Sequence, residues 1–462
     1  MRLLFLLPVF LGSVLGSDVI VESLLETINK TSNPCDDFYR HACPLGTKAE
    51  YVNEKVKRGL KELDGAWKHI EIINDFKEEP KNFSDTMSQL FVKTRMQIAK
   101  ELEMQFVVLC FGIYKARKEL RHKDLKSFTY SLRVHYEHLK AISIHLDNDL
   151  ESGVLEVRDM VETMKTKIDK MIMETPWTNN HNVTEFNRKI AKMTTLEVGY
   201  PKLLKDSLDH IMKFELLYRK CKQEFQFHEE ANYLCLVQAR GHFVEVPLPQ
   251  IRFVSILNAF NAFPELAFGT YFYYLAKHSE TMATKLGAIT LVVGHELAHT
   301  LIKGLDDPTQ TYFSQEAIDC VQNQFNSTCN EFKEDSCNAA DVQIDENGSD
   351  VLGLELAYSM LEDYYGDRLK DIYAPLNVTY QQLFFYSIAP FFCDAKPSHT
   401  LYQDIEKTVE DEHSPDNVRV NAIANHAGFK DAFQCPDNSR MMKSATKQCH
   451  FYGKDAPLHR KL

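Results

Sequence analysis

Apolar residues recur at spacings of three and four through the first half of the chain. Val56, Leu60, Leu63, Trp67, Ile70 and Ile73 fall on one face of a helix. The same periodicity runs through 90–114, 154–173 and 203–225, with Pro80, Pro176 and Pro201 at the breaks. Such stripes are surfaces for packing, and they predict a helical bundle. Beyond Cys235 the texture changes to short β-favouring runs, Phe243-Val244-Glu245-Val246 and Ile251-Arg252-Phe253-Val254-Ser255-Ile256, followed by further helices. The pattern therefore predicts a mainly α protein with a small β component and a change of unit near residue 240. No internal repeat or low-complexity tract is present.

One later helical segment, 286–300, is largely apolar yet carries three polar residues, His295, Glu296 and His299. Residues four apart share a helix face, so both imidazoles reach one metal ion while Glu296 lies alongside to hold a water on it. A catalytic zinc wants three protein ligands and one open position. In Asp345-Glu346-Asn347-Gly348-Ser349-Asp350 the carboxylates of Glu346 and Asp350 stand four apart and face the same way if the segment is helical. One can ligate the metal and the other can hold a ligand imidazole, because metal-bound histidines usually donate their second nitrogen to a carboxylate or carbonyl. On the residues alone, an ordinary solvated helix start is the expected reading of both acids.

Composition and charge narrow the function class. The 462 residues carry a formal net charge of -12, without the clustered Lys and Arg that phosphate binding needs, so nucleic acid is not expected as a partner. Residues 1–17 place Arg2 before a short apolar run ending in small residues, which reads as a signal peptide and predicts a secreted protein with no stable membrane anchor. The 11 cysteines fit an oxidising compartment, and the odd number leaves at least one unpaired within the chain. Asn-x-Ser/Thr sequons at Asn29, Asn82, Asn182, Asn326 and Asn377 fit the same route. A further sequon at Asn347 lies inside the candidate metal segment, where a glycan would obstruct the site, so it is expected to be unmodified.

Five separated stretches resemble the neprilysin and endothelin-converting enzyme family of zinc metallopeptidases. They are Asn33-Pro34-Cys35-Asp36-Asp37-Phe38-Tyr39-Arg40-His41-Ala42-Cys43, Asn258-Ala259-Phe260, Val293-Gly294-His295-Glu296-Leu297-Ala298-His299, Glu346-Asn347-Gly348-Ser349-Asp350 and Glu412-His413-Ser414-Pro415-Asp416-Asn417-Val418-Arg419. The resemblance implies a thermolysin-like zinc catalytic domain beneath a reduced helical covering domain. The expected organisation is 1–17 signal peptide, 18–50 N-terminal segment packed on the catalytic domain, 51–240 helical domain and 241–462 catalytic domain.

By the same resemblance, one Zn²⁺ is held by His295, His299 and Glu346. Glu296 is the general base, Asp350 holds a ligand histidine, and His413 stabilises the oxyanion. Arg419 binds a substrate carbonyl, and Asn258 with Ala259 grips the peptide backbone. The implied disulfides are Cys35 with Cys435, Cys43 with Cys393, Cys320 with Cys449, and Cys110 with Cys221 or Cys235; Cys329 and Cys337 are candidates for a local loop. The implied substrates are small peptides cut beside hydrophobic residues. The oligomeric state is not implied.

Two departures bear on activity. The helical half is far shorter than in typical members, which opens the chamber to larger substrates. Ile302 stands three residues after His299, where the family usually has Asp, and Asp306 is the next carboxylate along that face. These departures motivate an alternative, a catalytically silent peptide-binding protein on the same scaffold.

Overall fold

The computed structural model describes residues 18–43, 150–178, 180–195, 258–302, 313–332, 344–393, 413–445 and 447–458. The leader, the stripes at 56–73, 90–114 and 203–225, both β-favouring runs, Cys110, Cys221, Cys235, Cys337 and Asp306 lie outside the described residues. So does most of the expected helical domain.

What is described is mainly α with a small β component. Two helices open it, α1 (Val19–Thr27) and α2 (Phe38–Ala42). Then come α3 (Glu151–Glu174), α4 (Asn180–Lys192), and the strands β1 (Thr194–Thr195), β2 (Ala259–Ala262) and β3 (Glu265–Phe268). Next are α5 (Thr270–His278) and α6 (Met282–Lys285), then a π-helical segment (Leu286–Thr290) continuous with α7 (Leu291–Leu301). After these come α8 (Gln315–Phe332), α9 (Ile344–Tyr365), α10 (Tyr380–Phe392), α11 (Asp416–Ala422), α12 (Ala427–Phe433) and α13 (Arg440–Ser444).

The stripe expected over 154–173 is the buried face of α3: Val157, Met160, Val161, Met164, Ile168 and Ile172. Helix α3 ends at Glu174, two residues before Pro176, as the restriction on residues preceding proline requires. It lies across α5, α7 and α9, and Lys167 Nζ reaches Ser359 Oγ on α9 at 2.7 Å. The three-stranded sheet has the order β1-β3-β2, with β1 parallel and β2 antiparallel to β3.

The N-terminal segment is bound tightly to the later part of the chain. Phe38 is fully buried among Tyr386, Phe429 and Phe433, and burying such a ring contributes about 2–3 kcal/mol. Disulfides join Cys35 to Cys435 and Cys43 to Cys393, closing loops of 400 and 350 residues, and a third joins Cys320 to Cys449. Bonds of this kind typically stabilise by about 2–4 kcal/mol each, largely by restricting the unfolded chain. Asp18 adds a polar anchor: its Oδ1 accepts from Ile20 N and Val21 N, while its Oδ2 accepts from Glu280 N, Thr281 N and Thr284 Oγ1. One buried carboxylate thus caps α1 and fixes the start of the helical run that leads into α7.

His426 makes the fold acid-sensitive. It is buried against Tyr358 and caps α12, its Nδ1 accepting from Gly428 N at 3.1 Å. Burial, aided by the neighbouring charge of His450, pushes it from 6.5 down to about 4. Between those values the unfolded chain binds a proton that the folded chain refuses. The contribution of His426 to stability is therefore fully present above about pH 6.5 and should fall by about 3 kcal/mol as pH drops to about 4. Urea unfolding at pH 7 and 4.5 checks this. The acid loss should shrink in His426→Asn, which keeps a capping acceptor without the titration, and an equal loss in both proteins would contradict it.

Candidate metal centre and active site

Helix α7 is buried along almost its whole length, from Leu291 to Ala298 and again at Thr300 and Leu301. His295 and Glu296 are only 5% and 6% exposed, and polar groups so placed need partners. Helix α9 supplies those of His295. The two helices cross backbone to backbone at a pair of glycines: a Cβ on Gly294 would lie 2.8 Å from Gly353 Cα, and one on Gly353 would lie 2.7 Å from His295 N. The crossing sits one residue before His295 and three after Asp350, so it sets how closely the histidines of α7 approach the carboxylates of α9.

The ligating atoms of His295, His299 and Glu346 all lie within 4.8 Å of one another. His295 Nε2 is 3.0 Å from His299 Nε2 and 3.1 Å from Glu346 Oε2, and His299 Nε2 is 3.5 Å from the same oxygen. His413 Nε2 approaches it at 3.0 Å. Despite three imidazole nitrogens nearby, Glu346 Oε2 is buried with no directed hydrogen bond.

Protonation explains why. His295 Nδ1 lies 2.8 Å from Asp350 Oδ1; a carboxylate only accepts, so Nδ1 carries the hydrogen, and Nε2 presents a lone pair when the ring is neutral. An imidazole lone pair and a carboxylate oxygen then point at a common position, which a cation would satisfy. Two imidazoles and one carboxylate are a donor set that fits zinc with one position left open.

The electrostatics agree. Burial pulls the pKa of His295 down, but the neighbouring carboxylates of Asp350 and Glu346 outweigh it and raise it to about 9. Burial likewise opposes ionisation of Glu346, yet the three histidines keep its carboxyl well below the usual range. Asp350 is also held low against burial, chiefly by Arg419. Glu296 goes the other way, raised by burial. The pocket thus calls for positive charge, as a proton or as a metal.

Arg419 is committed to Asp350 through two bonds, Nε to Oδ2 at 2.8 Å and Nη2 to Oδ1 at 2.7 Å, and its guanidinium lies 4.8 Å from the Phe392 ring centre. Arg419, Asp350 and His295 form one chain of charge-assisted contacts. Ser414 Oγ donates to Asn347 Oδ1 at 2.7 Å, which ties the His413 segment to α9. Asn347 itself is fully buried, out of reach of glycosylation in the folded chain.

Strand β2 runs beside α7. Asn261 Nδ2 donates to the backbone oxygen of Glu296 and to Thr300 Oγ1. Ala259 pairs with Phe268, and the Asn258 carbonyl accepts from Gly269 N at 2.9 Å. Both substrate-gripping candidates therefore use their inner side for the hairpin.

Three features were not anticipated from the sequence: the Gly294–Gly353 crossing, the Asn261 strap, and Ser349 Oγ 3.3 Å from His299 Nδ1. Glycines inside otherwise helical runs were the available signal for the first. Asn261 and Ser349 carried none.

Residues 262–449 match the model of Peptidase family M13. Neprilysin-3 of Drosophila melanogaster is 30% identical over 186 residues, covering 36% of this chain and 22% of its own. Endothelin-converting enzyme-like 1 of Mus musculus is 22% identical over 397 residues, covering 78% of this chain and 46% of its own. The chain thus spans less than half the length of these relatives. A solved chain of the Haemonchus galactose containing glycoprotein complex superposes with a TM-score of 0.53 at 13% identity, over 93% of this chain and 98% of that one. At that identity the likeness speaks to fold alone.

Proposed function

We propose that this chain, whose residues 262–449 match the model of Peptidase family M13, is a zinc-dependent endopeptidase whose metal is held by His295, His299 and Glu346. The observation that carries the reading is the buried Glu346 Oε2, faced by imidazole nitrogens yet without a directed hydrogen bond. When bound, zinc supplies a Lewis acid that polarises a peptide carbonyl and makes water nucleophilic near neutral pH.

The chain's own residues do the rest. Glu296, buried beside His295 and His299, takes the proton of the attacking water and hands it to the leaving amine. His413 donates to the oxygen that becomes negative at the carbonyl carbon. Asp350 keeps the His295 hydrogen on Nδ1, so that Nε2 faces the metal, and Arg419 neutralises Asp350. Arg419 also offers N–H groups beyond those bonded to Asp350 to a substrate carbonyl. An extended peptide adds along β2 on the side away from β3, where Asn258 and Ala259 hold its backbone.

The substrates proposed are small peptides cut beside hydrophobic residues, acted on by a secreted protein divided near residue 240. Pairing of Cys35, Cys43 and Cys320 with distant cysteines supports an oxidising compartment. No helix among the described residues is long and apolar enough to cross a membrane.

The test is incubation of the purified protein with a mixed peptide library, with and without chelator. Cleavage that the chelator abolishes and zinc restores is the expected result. An intact library with zinc still bound would favour the peptide-binding alternative.

A further inference from the structure

The two ligand histidines are backed differently. His295 Nδ1 faces Asp350, an anion itself neutralised by Arg419. His299 Nδ1 faces the hydroxyl of Ser349 at 3.3 Å. Three residues after His299, the position expected to carry a carboxylate holds Ile302, which is 1% exposed and marks the end of α7. Ser349 is fully buried on α9, between Glu346 and Asp350 in the same turn.

We infer that Ser349 is the positioning residue for His299: its oxygen accepts the Nδ1 hydrogen, fixes the tautomer that turns Nε2 to the metal, and sets the ring plane. The inference rests on the zinc reading above and deepens it. A helix that already supplies a ligand at Glu346 and a partner for His295 at Asp350 also supplies the partner for His299, so all three contacts move with one rigid element. The chemistry differs between the two sides. A charged carboxylate backs His295 and a neutral hydroxyl backs His299.

The experiment compares wild type, Ser349→Ala and the double variant Ser349→Ala/Ile302→Asp. Zinc affinity is read by competition with a chromogenic chelator, the thermal midpoint is read on the metal-free proteins, and ¹⁵N–¹H spectra follow the His299 ring. Ser349→Ala should weaken zinc binding by about 10-fold or more, within the range for removing a hydrogen-bond partner of a ligand. The metal-free midpoint should stay put, and the His299 Nδ1 hydrogen should exchange faster. Recovery of affinity in the double variant would add support. Unchanged zinc affinity in Ser349→Ala overturns the inference, and so does a loss matched by an equal loss of metal-free stability, which would make Ser349 a packing residue. Wild type that binds no zinc at all would instead overturn the metal reading, and this inference with it.

Discussion

Glu296→Gln should bring peptide cleavage down by about 10²- to 10⁴-fold, the usual contribution of a positioned general base, while leaving zinc in place. The substitution keeps the size of the side chain, and the strap from Asn261 reaches the backbone oxygen of Glu296, so the local fold is retained. Glu296 is not among the three groups whose ligating atoms converge, so metal content should not change. Burial raises the affinity of its carboxylate for protons, which suits a group that must accept one and pass it on. Turnover and zinc content measured on the same preparation check this. A variant that cleaves at the wild-type rate would show that another group takes the proton, and one that loses zinc would make Glu296 part of the metal cage.

Gly353→Ala should disable the site without touching a ligand. The added methyl would lie 2.7 Å from His295 N and 2.9 Å from Leu291 O. Both are backbone atoms of α7 that cannot rotate aside, so the helices must part. Overpacking of this kind costs about 1–3 kcal/mol. The larger consequence is geometric: His295 and His299 ride on one helix and Glu346 on the other, and a misplacement of about 1 Å can cost about 10²-fold in function. Zinc affinity should fall by about that factor, and Gly294→Ala should behave alike because it meets the same crossing from the other side. Zinc titration of the variants decides the matter. Wild-type affinity in Gly353→Ala would mean that the crossing does not set the ligand spacing.

The residues that were legible in the sequence are those whose relations are local. His295 and His299 share a face because a helix has 3.6 residues per turn, and the stripe from Val157 to Ile172 announced the buried face of α3 for the same reason. Glu346 and Asp350 were visible as a pair, but nothing local said which nitrogen of His295 each would face: Glu346 Oε2 lies 3.1 Å from Nε2 and Asp350 Oδ1 2.8 Å from Nδ1. The pairing of Cys35 with Cys435 spans 400 residues and came from resemblance, since spacing cannot give connectivity.

What was not legible is tertiary. Ser349 and His299 are 50 residues apart, and nothing local marks a helical serine as a partner for a histidine. The π-helical segment at Leu286–Thr290 was expected as ordinary helix. There Gly287 faces the Phe384 carbonyl so closely that a Cβ would sit 2.2 Å from it, and that close approach of α10 is invisible in the pattern of apolar residues.

The central claim is that His295, His299 and Glu346 together hold one zinc ion. Elemental analysis of wild type and Glu346→Ala, each purified without chelator, loaded with zinc and dialysed, tests it most directly. The account predicts one zinc per chain in wild type and background zinc in the variant, with both proteins folded. Full zinc in Glu346→Ala, or none in wild type, would contradict it.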